Sequence, residues 1–184
     1  LAAKLIKANL QVLIFNQRSI EEILEVILTI GRIVAAEDKA QKLVDGYKKR
    51  LEKCRENSDK IQNKPKVYFE EWDDPTFSGI RWVSELIEIA GGEDIFSNKS
   101  HGKLAMEREI QWSDVVEKNP DIILASWCGK PVDIDSIKER EGWDQISAIK
   151  NNRIHEIDSS IILQPGPASL TDGLSVLESL IRGQ

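Results

Sequence analysis

Apolar residues near the start of the chain recur with two different spacings. Residues 11–15 read QVLIF, a short continuous apolar run that is typical of a strand. After Ser19, a residue type favoured at helix N-caps, apolar residues recur three and four positions apart, at Ile20, Ile23, Leu24, Ile27, Ile30 and Val34. The pattern predicts a strand followed by a helix whose broad apolar face packs against a sheet.

A second helix is predicted from about Asp38 to about Ile61. Its apolar stripe is narrow, and most of its other positions are charged. A helix with this pattern lies on a surface or bridges two bodies. Gly46 is its weakest point, because glycine in a helix interior costs about 1 kcal/mol relative to alanine. We expect the helix to run unbroken through this glycine.

From residue 65 onward the chain alternates apolar strand patterns with helical ones. The strands are predicted at 67–69, 121–126 and 153–157, and the helices at about 82–90, 113–118 and 170–181, with Ser113 as one N-cap. This alternation predicts an α/β fold, a three-layer lobe in which helices cover both faces of a parallel sheet.

Composition and charge narrow the function classes. The chain has 184 residues, of which 30% are charged, and a formal net charge of −6. A nucleic-acid groove needs a basic surface, so nucleic acid is excluded as a partner. Two cysteines, Cys54 and Cys128, are too few to indicate a disulfide framework. The sequence does not begin with methionine, and we expect it to start inside a longer protein.

Each predicted strand of the lobe is followed by a loop that could carry chemistry. The loops read EEWDDP (70–75), WCGKP (127–131) and DSSIILQPGPA (158–168). Ligands of open α/β sheets bind beyond the carboxyl ends of the strands, so these loops should share one edge. Trp72 and Trp127 offer flat apolar faces to a large rigid ligand. Alternatively, each tryptophan closes the end of its own strand.

The acidic residues of the first loop allow a different interpretation. Glu70, Glu71, Asp73 and Asp74 are oxygen ligands of the kind that hard metal ions prefer. A metal-dependent hydrolase built on this fold is therefore an alternative function. The spacing matches no compact metal-binding loop, and a solvated or capping role explains these acids better. We predict neither a metal site nor catalytic residues.

Five segments resemble the substrate-binding proteins of cobalamin and iron–siderophore ABC importers. They are LQVLIFNQRSIEEILEVILTIGRI (10–33), KPKVYFEEWDDP (64–75), ELIEIAGGEDIF (85–96), VVEKNPDIIL (115–124) and LQPGPASLTDGL (163–174). The stretch from 126 to 143 is similar to a subgroup labelled cobalamin-binding. The resemblance runs in order along nearly the whole chain.

This resemblance implies two α/β lobes that a long helix connects, with the ligand between them. Residues 1–36 would be the remnant of the N-terminal lobe, 37–63 the connector helix, and 64–184 the C-terminal α/β lobe. The implied ligand is cobalamin, a ferric siderophore or heme, and no cofactor is implied. The residues expected to contact it are Trp72, Asp73, Trp127, Lys130, Ser159 and Gln164.

The resemblance also implies partners and a location. Such receptors deliver ligand to an ABC permease and its ATPase, and they are extracytoplasmic, as periplasmic proteins or membrane-anchored lipoproteins. Glu107, Glu109 and Asp114 are the expected permease-docking carboxylates. The chain would then not be an enzyme. An intracellular tetrapyrrole-handling module is a further alternative.

Because the helix after Ser19 has a broad apolar face, we also expect self-association through residues 10–34.

Overall fold

The computed structural model describes residues 1–183. Within them, the sheet contains β1 (Lys66–Asp73), β2 (Thr76–Ser78), β3 (Glu93–Asp94), β4 (Ile122–Ala125) and β5 (Ile154–Glu156). The strand order is β2–β1–β4–β5, and β3 pairs with the beginning of β1. β1, β4 and β5 run parallel, which confirms the predicted strands, whereas β2 forms an antiparallel hairpin with β1 that the sequence analysis did not predict.

The central strands are buried on both faces, as parallel strands usually are. Alternate residues of β1 point to opposite sides, so Val67 and Phe69 join one hydrophobic cluster and Tyr68 joins the other. In β4, Ile122 and Ile123 divide in the same way. The two clusters are the two interfaces of the predicted three-layer lobe.

Nine α-helices lie in the described residues: α1 (Ala2–Lys7), α2 (Ile20–Ile33), α3 (Glu37–Ser58), α4 (Arg81–Ala90), α5 (Trp112–Lys118), α6 (Ile134–Lys138), α7 (Ser147–Lys150), α8 (Ser159–Ile162) and α9 (Leu174–Arg182). α3, α4 and α9 contribute to the first cluster, and α5, α6 and α7 to the second. Among residues 1–183, no helix has the length and apolarity needed to cross a membrane.

Helix α2 begins with the cap that the sequence predicts. Ser19 Oγ accepts a hydrogen bond from the Glu22 N–H at 3.2 Å, and the Glu22 carboxylate accepts one from the Ser19 N–H at 3.3 Å. The principal neighbour of α2 is α3 rather than the sheet. The helices meet closely at Gly31, where an added Cβ would lie 2.4 Å from the Cβ of Ala40.

Helix α3 is continuous through Gly46, as predicted, although it ends at Ser58 and not at Ile61. It buries a stripe formed by Ala40, Val44, Leu51 and Cys54, and its charged positions face solvent. The helix therefore lies on the surface, and most of its circumference faces solvent. Its role as a connector between two lobes stays a prediction.

Two local predictions are wrong. Residues 11–15 do not form a strand, because no strand within residues 1–183 lies beside them to accept and donate backbone hydrogen bonds. Leu13 and Ile14 are instead 66% and 72% exposed. Ser113 is not the N-cap: the cap is Gln111, two residues earlier, so Ser113 lies inside α5.

Candidate ligand-binding edge

Four of the six residues predicted to contact ligand meet at the carboxyl ends of the parallel strands. Trp72 and Asp73 end β1, and Trp127 and Lys130 lie together in the loop that follows β4. The Lys130 Nζ lies 4.7 Å from the ring centroid of each tryptophan. It also donates to both Asp73 oxygens, at 2.9 Å to Oδ1 and 2.8 Å to Oδ2. Their role in ligand binding stays a prediction.

The two tryptophans differ in how accessible they are. Trp127 is only 4% exposed, and its indole N–H donates to Glu70 Oε1 at 3.1 Å. Trp127 therefore closes the end of its own strand, as the alternative interpretation expected, while one face remains against Lys130. Trp72 is partly exposed, and its indole N–H donates to the Asp74 carbonyl at 3.1 Å. Both rings are thus fixed by hydrogen bonds at their edges.

The Asp73 carboxyl has a lowered pKa beside the lysine. Partial burial would raise the pKa of its carboxyl, but the hydrogen bonds from Lys130 and from backbone N–H groups outweigh burial and lower it. The side chains of Lys130 and Asp73 are 41% and 27% exposed. This ion pair is consequently open to solvent and can be rearranged.

Glu70, the first acid of the loop, is fully buried in a network of donors. Arg140 donates to both of its oxygens, at 2.9 Å to Oε1, and the Tyr68 hydroxyl donates to Oε2 at 2.9 Å. The Arg140 guanidinium also lies 4.8 Å from the Trp112 ring centroid and 4.6 Å from that of Trp143. Burial, followed by the adjacent Glu70 charge, raises the pKa of Tyr68. Glu70 therefore holds Trp127 in place and is not available to a metal.

The remaining acids do not converge on a common point either. Glu71 forms a bidentate ion pair with Arg108, at 2.6 and 2.8 Å, and accepts the Ile80 N–H at 2.9 Å. Asp73 is paired with Lys130. Throughout the described residues, no group of three or more histidine, cysteine or acidic side chains could hold a metal ion. The geometry does not support the hydrolase alternative.

A shallow cavity of about 570 Å³ adjoins the lysine. Ser159, the first residue of α8, lines it together with Trp127 and Lys130, whereas Gln164 lies beyond α8 and is not part of its lining. Glu156 and Asp158 also line the cavity, and neither was among the residues predicted to contact ligand. Glu156 ends β5, so the strand-end rule that selected Trp72 could have found it.

The carboxylates expected to dock on the permease lie on another part of the chain, residues 107–114. Glu107 is exposed in a 3-10 turn (Ala105–Arg108) and accepts the Leu104 N–H at 3.0 Å. Asp114 caps α5 by accepting the Gln111 N–H at 3.4 Å, and Glu109 is half-buried. Glu107 is exposed and the other two residues are partly exposed, but permease docking stays a prediction.

Comparison with known proteins identifies the family. A family model described as periplasmic binding protein matches residues 1–161. This match covers most of the chain, so the chain belongs to the periplasmic binding protein family. The parallel sheet with helices on both faces agrees with that assignment, and the family is one of binding proteins rather than enzymes.

Individual relatives agree with the family match. The chain is 28% identical over 186 residues to the ABC transporter substrate-binding lipoprotein YvrC of Bacillus subtilis, covering 95% of this chain and 54% of that protein. It is 29% identical over 129 residues to a vitamin B12-binding protein of Vibrio vulnificus, covering 67% and 43%. The chain thus spans about half the length of the curated relatives it matches.

A solved structure shows a similar fold. The crystal structure of a possible iron-binding periplasmic solute-binding protein from Staphylococcus epidermidis superposes with a TM-score of 0.81 at 25% identity. The match covers 98% of this chain and 69% of that one. The α/β lobe and the helices before it therefore have a known structural counterpart.

Proposed function

We propose that this chain is part of the extracytoplasmic substrate-binding component of an ABC importer. It captures cobalamin or an iron complex, either a ferric siderophore or heme, and delivers it to the permease and its ATPase. The observation that carries this proposal is the meeting of Trp72, Trp127, Lys130 and Asp73 at the carboxyl edge of the sheet. The names of the Vibrio and Staphylococcus proteins support the two ligand classes, and the lipoprotein name of YvrC supports the location.

The shape of Trp72 and the exposed ion pair of Lys130 both suit such a ligand. A corrin or iron complex is large, rigid and partly apolar, and the partly exposed indole of Trp72 matches such a surface. The Lys130 ammonium lies against that indole and forms an ion pair with Asp73 that is open to solvent. An exposed ion pair contributes little free energy, so ligand can displace Lys130 at modest cost. Ser159 then borders the same ligand from the adjoining cavity. Gln164 would contact it only if the ligand extends past α8.

The domain division is part of the proposal. Residues 64–184 form the C-terminal lobe that carries this edge, and 37–63 connect it to the lobe that contains 1–36. The unbroken helix α3 supports a connector that keeps the two lobes at a nearly fixed distance. Glu107, Glu109 and Asp114 would face basic residues of the permease across the docking surface.

Residues 10–34 are the proposed contact surface with a second copy of this chain. Leu13, Ile14, Ile30 and Ile33 are each between 45% and 72% exposed. Exposed apolar side chains of this size promote association. Sedimentation equilibrium should give a mass above the monomer, and replacing Leu13 and Ile14 by serine should restore the monomer. A wild-type chain that remains strictly monomeric would contradict this part of the proposal.

The test of ligand binding is an equilibrium titration of the polypeptide as it is encoded, with any residues that flank this chain. Aquocobalamin, hemin and a ferric hydroxamate are added separately while tryptophan fluorescence is recorded. One of them should quench the fluorescence saturably. Trp72→Leu should weaken its binding roughly tenfold, since an aromatic contact contributes about 0.5–1.5 kcal/mol beyond its buried area. Tyr47→Leu, an aromatic change on α3, is the matched control and should leave affinity unchanged.

A further inference from the structure

The Lys130 ammonium occupies an aromatic cage made by the chain itself. A cation is attracted to an indole face when it lies within about 6 Å of the ring centroid. Lys130 satisfies this condition twice, at 4.7 Å from both Trp72 and Trp127, and it donates to both Asp73 oxygens. Two indole faces and one carboxylate therefore converge on a single positive charge.

The walls of this cage are held independently of the lysine. The indole N–H of Trp127 is fixed on the buried Glu70, and that of Trp72 on the Asp74 carbonyl. Lys130 itself is a flexible side chain with 41% of its surface exposed. Its departure would leave the two rings and the carboxylate in place, preorganised for another cation.

The surroundings of the cage are acidic. The adjoining cavity is lined by Glu156 and Asp158, and neither forms an ion pair within residues 1–183. Glu156 accepts only the Val132 N–H at 3.0 Å among the described contacts, and the backbone N–H of Ser160 lowers the pKa of Asp158. An anionic group that replaced Lys130 would meet Asp73 and these two carboxylates, whereas a cationic group would be attracted by all three.

We propose that Trp72, Trp127 and Asp73 form a cation-binding cage, which Lys130 fills when no ligand is bound and which the ligand enters with a positively charged group. The inference deepens the proposed function and rests on it for the claim that a ligand reaches this edge. Such a cage favours corrinoids and iron complexes that present an ammonium or another cationic group to it, and it disfavours those that present a carboxylate. Lys130 is then a specificity-determining residue that competes with the ligand.

Choline and its uncharged isostere 3,3-dimethylbutan-1-ol separate charge from shape. Each is titrated into the encoded polypeptide, in the wild type and in Lys130→Met, with tryptophan fluorescence as the readout. We expect choline to bind Lys130→Met roughly tenfold more tightly than wild type, because the competing ammonium and its cation–π contacts are removed. Lys150→Met, an exposed lysine on α7, is the matched control and should bind like wild type.

Further variants and a wild-type measurement complete the test. Trp72→Leu and Asp73→Asn, each combined with Lys130→Met, should abolish the gain. In the wild type, saturating choline should increase acetylation of Lys130 by acetic anhydride relative to Lys150, as read by mass spectrometry, and this readout does not depend on the folding of any variant. Equal binding of choline and 3,3-dimethylbutan-1-ol, or unchanged Lys130 reactivity, would overturn the cage. Failure of the proposed function would appear differently, as the absence of binding by cobalamin, hemin and ferric hydroxamate while choline still binds.

Discussion

Replacing Arg140 by methionine should strongly destabilise the protein, because it leaves a buried carboxylate without its cation. Glu70 is fully buried, and the Arg140 side chain is only 5% exposed. The substitution removes both guanidinium bonds and leaves Glu70 with the Tyr68 hydroxyl and the Trp127 indole N–H. Removing one partner of a buried pair costs about 3–5 kcal/mol, a large share of the 5–15 kcal/mol that stabilises a typical domain.

The assay is equilibrium unfolding in urea, followed by far-ultraviolet circular dichroism because the substitution alters tryptophan contacts. Arg55→Met is the matched control, because it breaks an exposed ion pair with Glu52. The side chains of Arg55 and Glu52 are 53% and 61% exposed, so the substitution should lower the free energy of unfolding by less than about 1 kcal/mol. Combining Arg140→Met with Glu70→Met should recover much of the loss, since no unpaired charge remains. If Arg140→Met costs no more than Arg55→Met, the network does not stabilise the fold as argued.

Three further predictions concern single residues. Gly46→Ala should raise the free energy of unfolding by about 0.5–1 kcal/mol in urea titrations, because the site is exposed in mid-helix and an added Cβ meets nothing within 4 Å; a loss of stability would contradict it. Burial raises the pKa of Cys54 to about 12, so iodoacetamide at about pH 8 should label the exposed Cys128 well before Cys54, as checked by peptide mass mapping. Desolvation raises the pKa of Asp94, so the stability that the protonated carboxyl contributes is present below about pH 4 and is lost as the pH rises through the folded-state pKa. Asp94→Asn should therefore gain stability relative to wild type between about pH 4 and pH 7, as measured by urea unfolding at each pH. A stability difference that does not change with pH would refute this linkage.

The parallel core could be predicted because its signal is local. Residues 122–125 are apolar and buried throughout, and a short run of that kind flanked by turn residues indicates a strand buried on both faces. The cap at Ser19 was predictable for the same reason, since the capping residue and its partner Glu22 are three positions apart. The strand predicted at 11–15 failed because a strand also needs a neighbour, which apolarity does not reveal.

The full length of β1 could not be predicted, because its two buried or half-buried glutamates pair with arginines that are far away along the chain. Glu70 and Glu71 resemble the beginning of a polar loop, yet both lie within the strand. Their partners, Arg140 and Arg108, are 70 and 37 positions away along the chain. The same limit applies to the cage: Trp72, Trp127 and Lys130 were each selected by their place after a strand, but the meeting of their side chains follows from how two loops fold together.

The central claim is that ligand binds at the carboxyl edge of the sheet, against the two tryptophans. The most direct test is a crystal structure of the encoded polypeptide loaded with the ligand that quenches its fluorescence. We predict ligand atoms within about 4 Å of the Trp72 ring, the distance of apolar contact, with the Lys130 ammonium displaced from between Trp72 and Trp127. A ligand bound away from this edge, with Lys130 still between the two rings, would contradict the account.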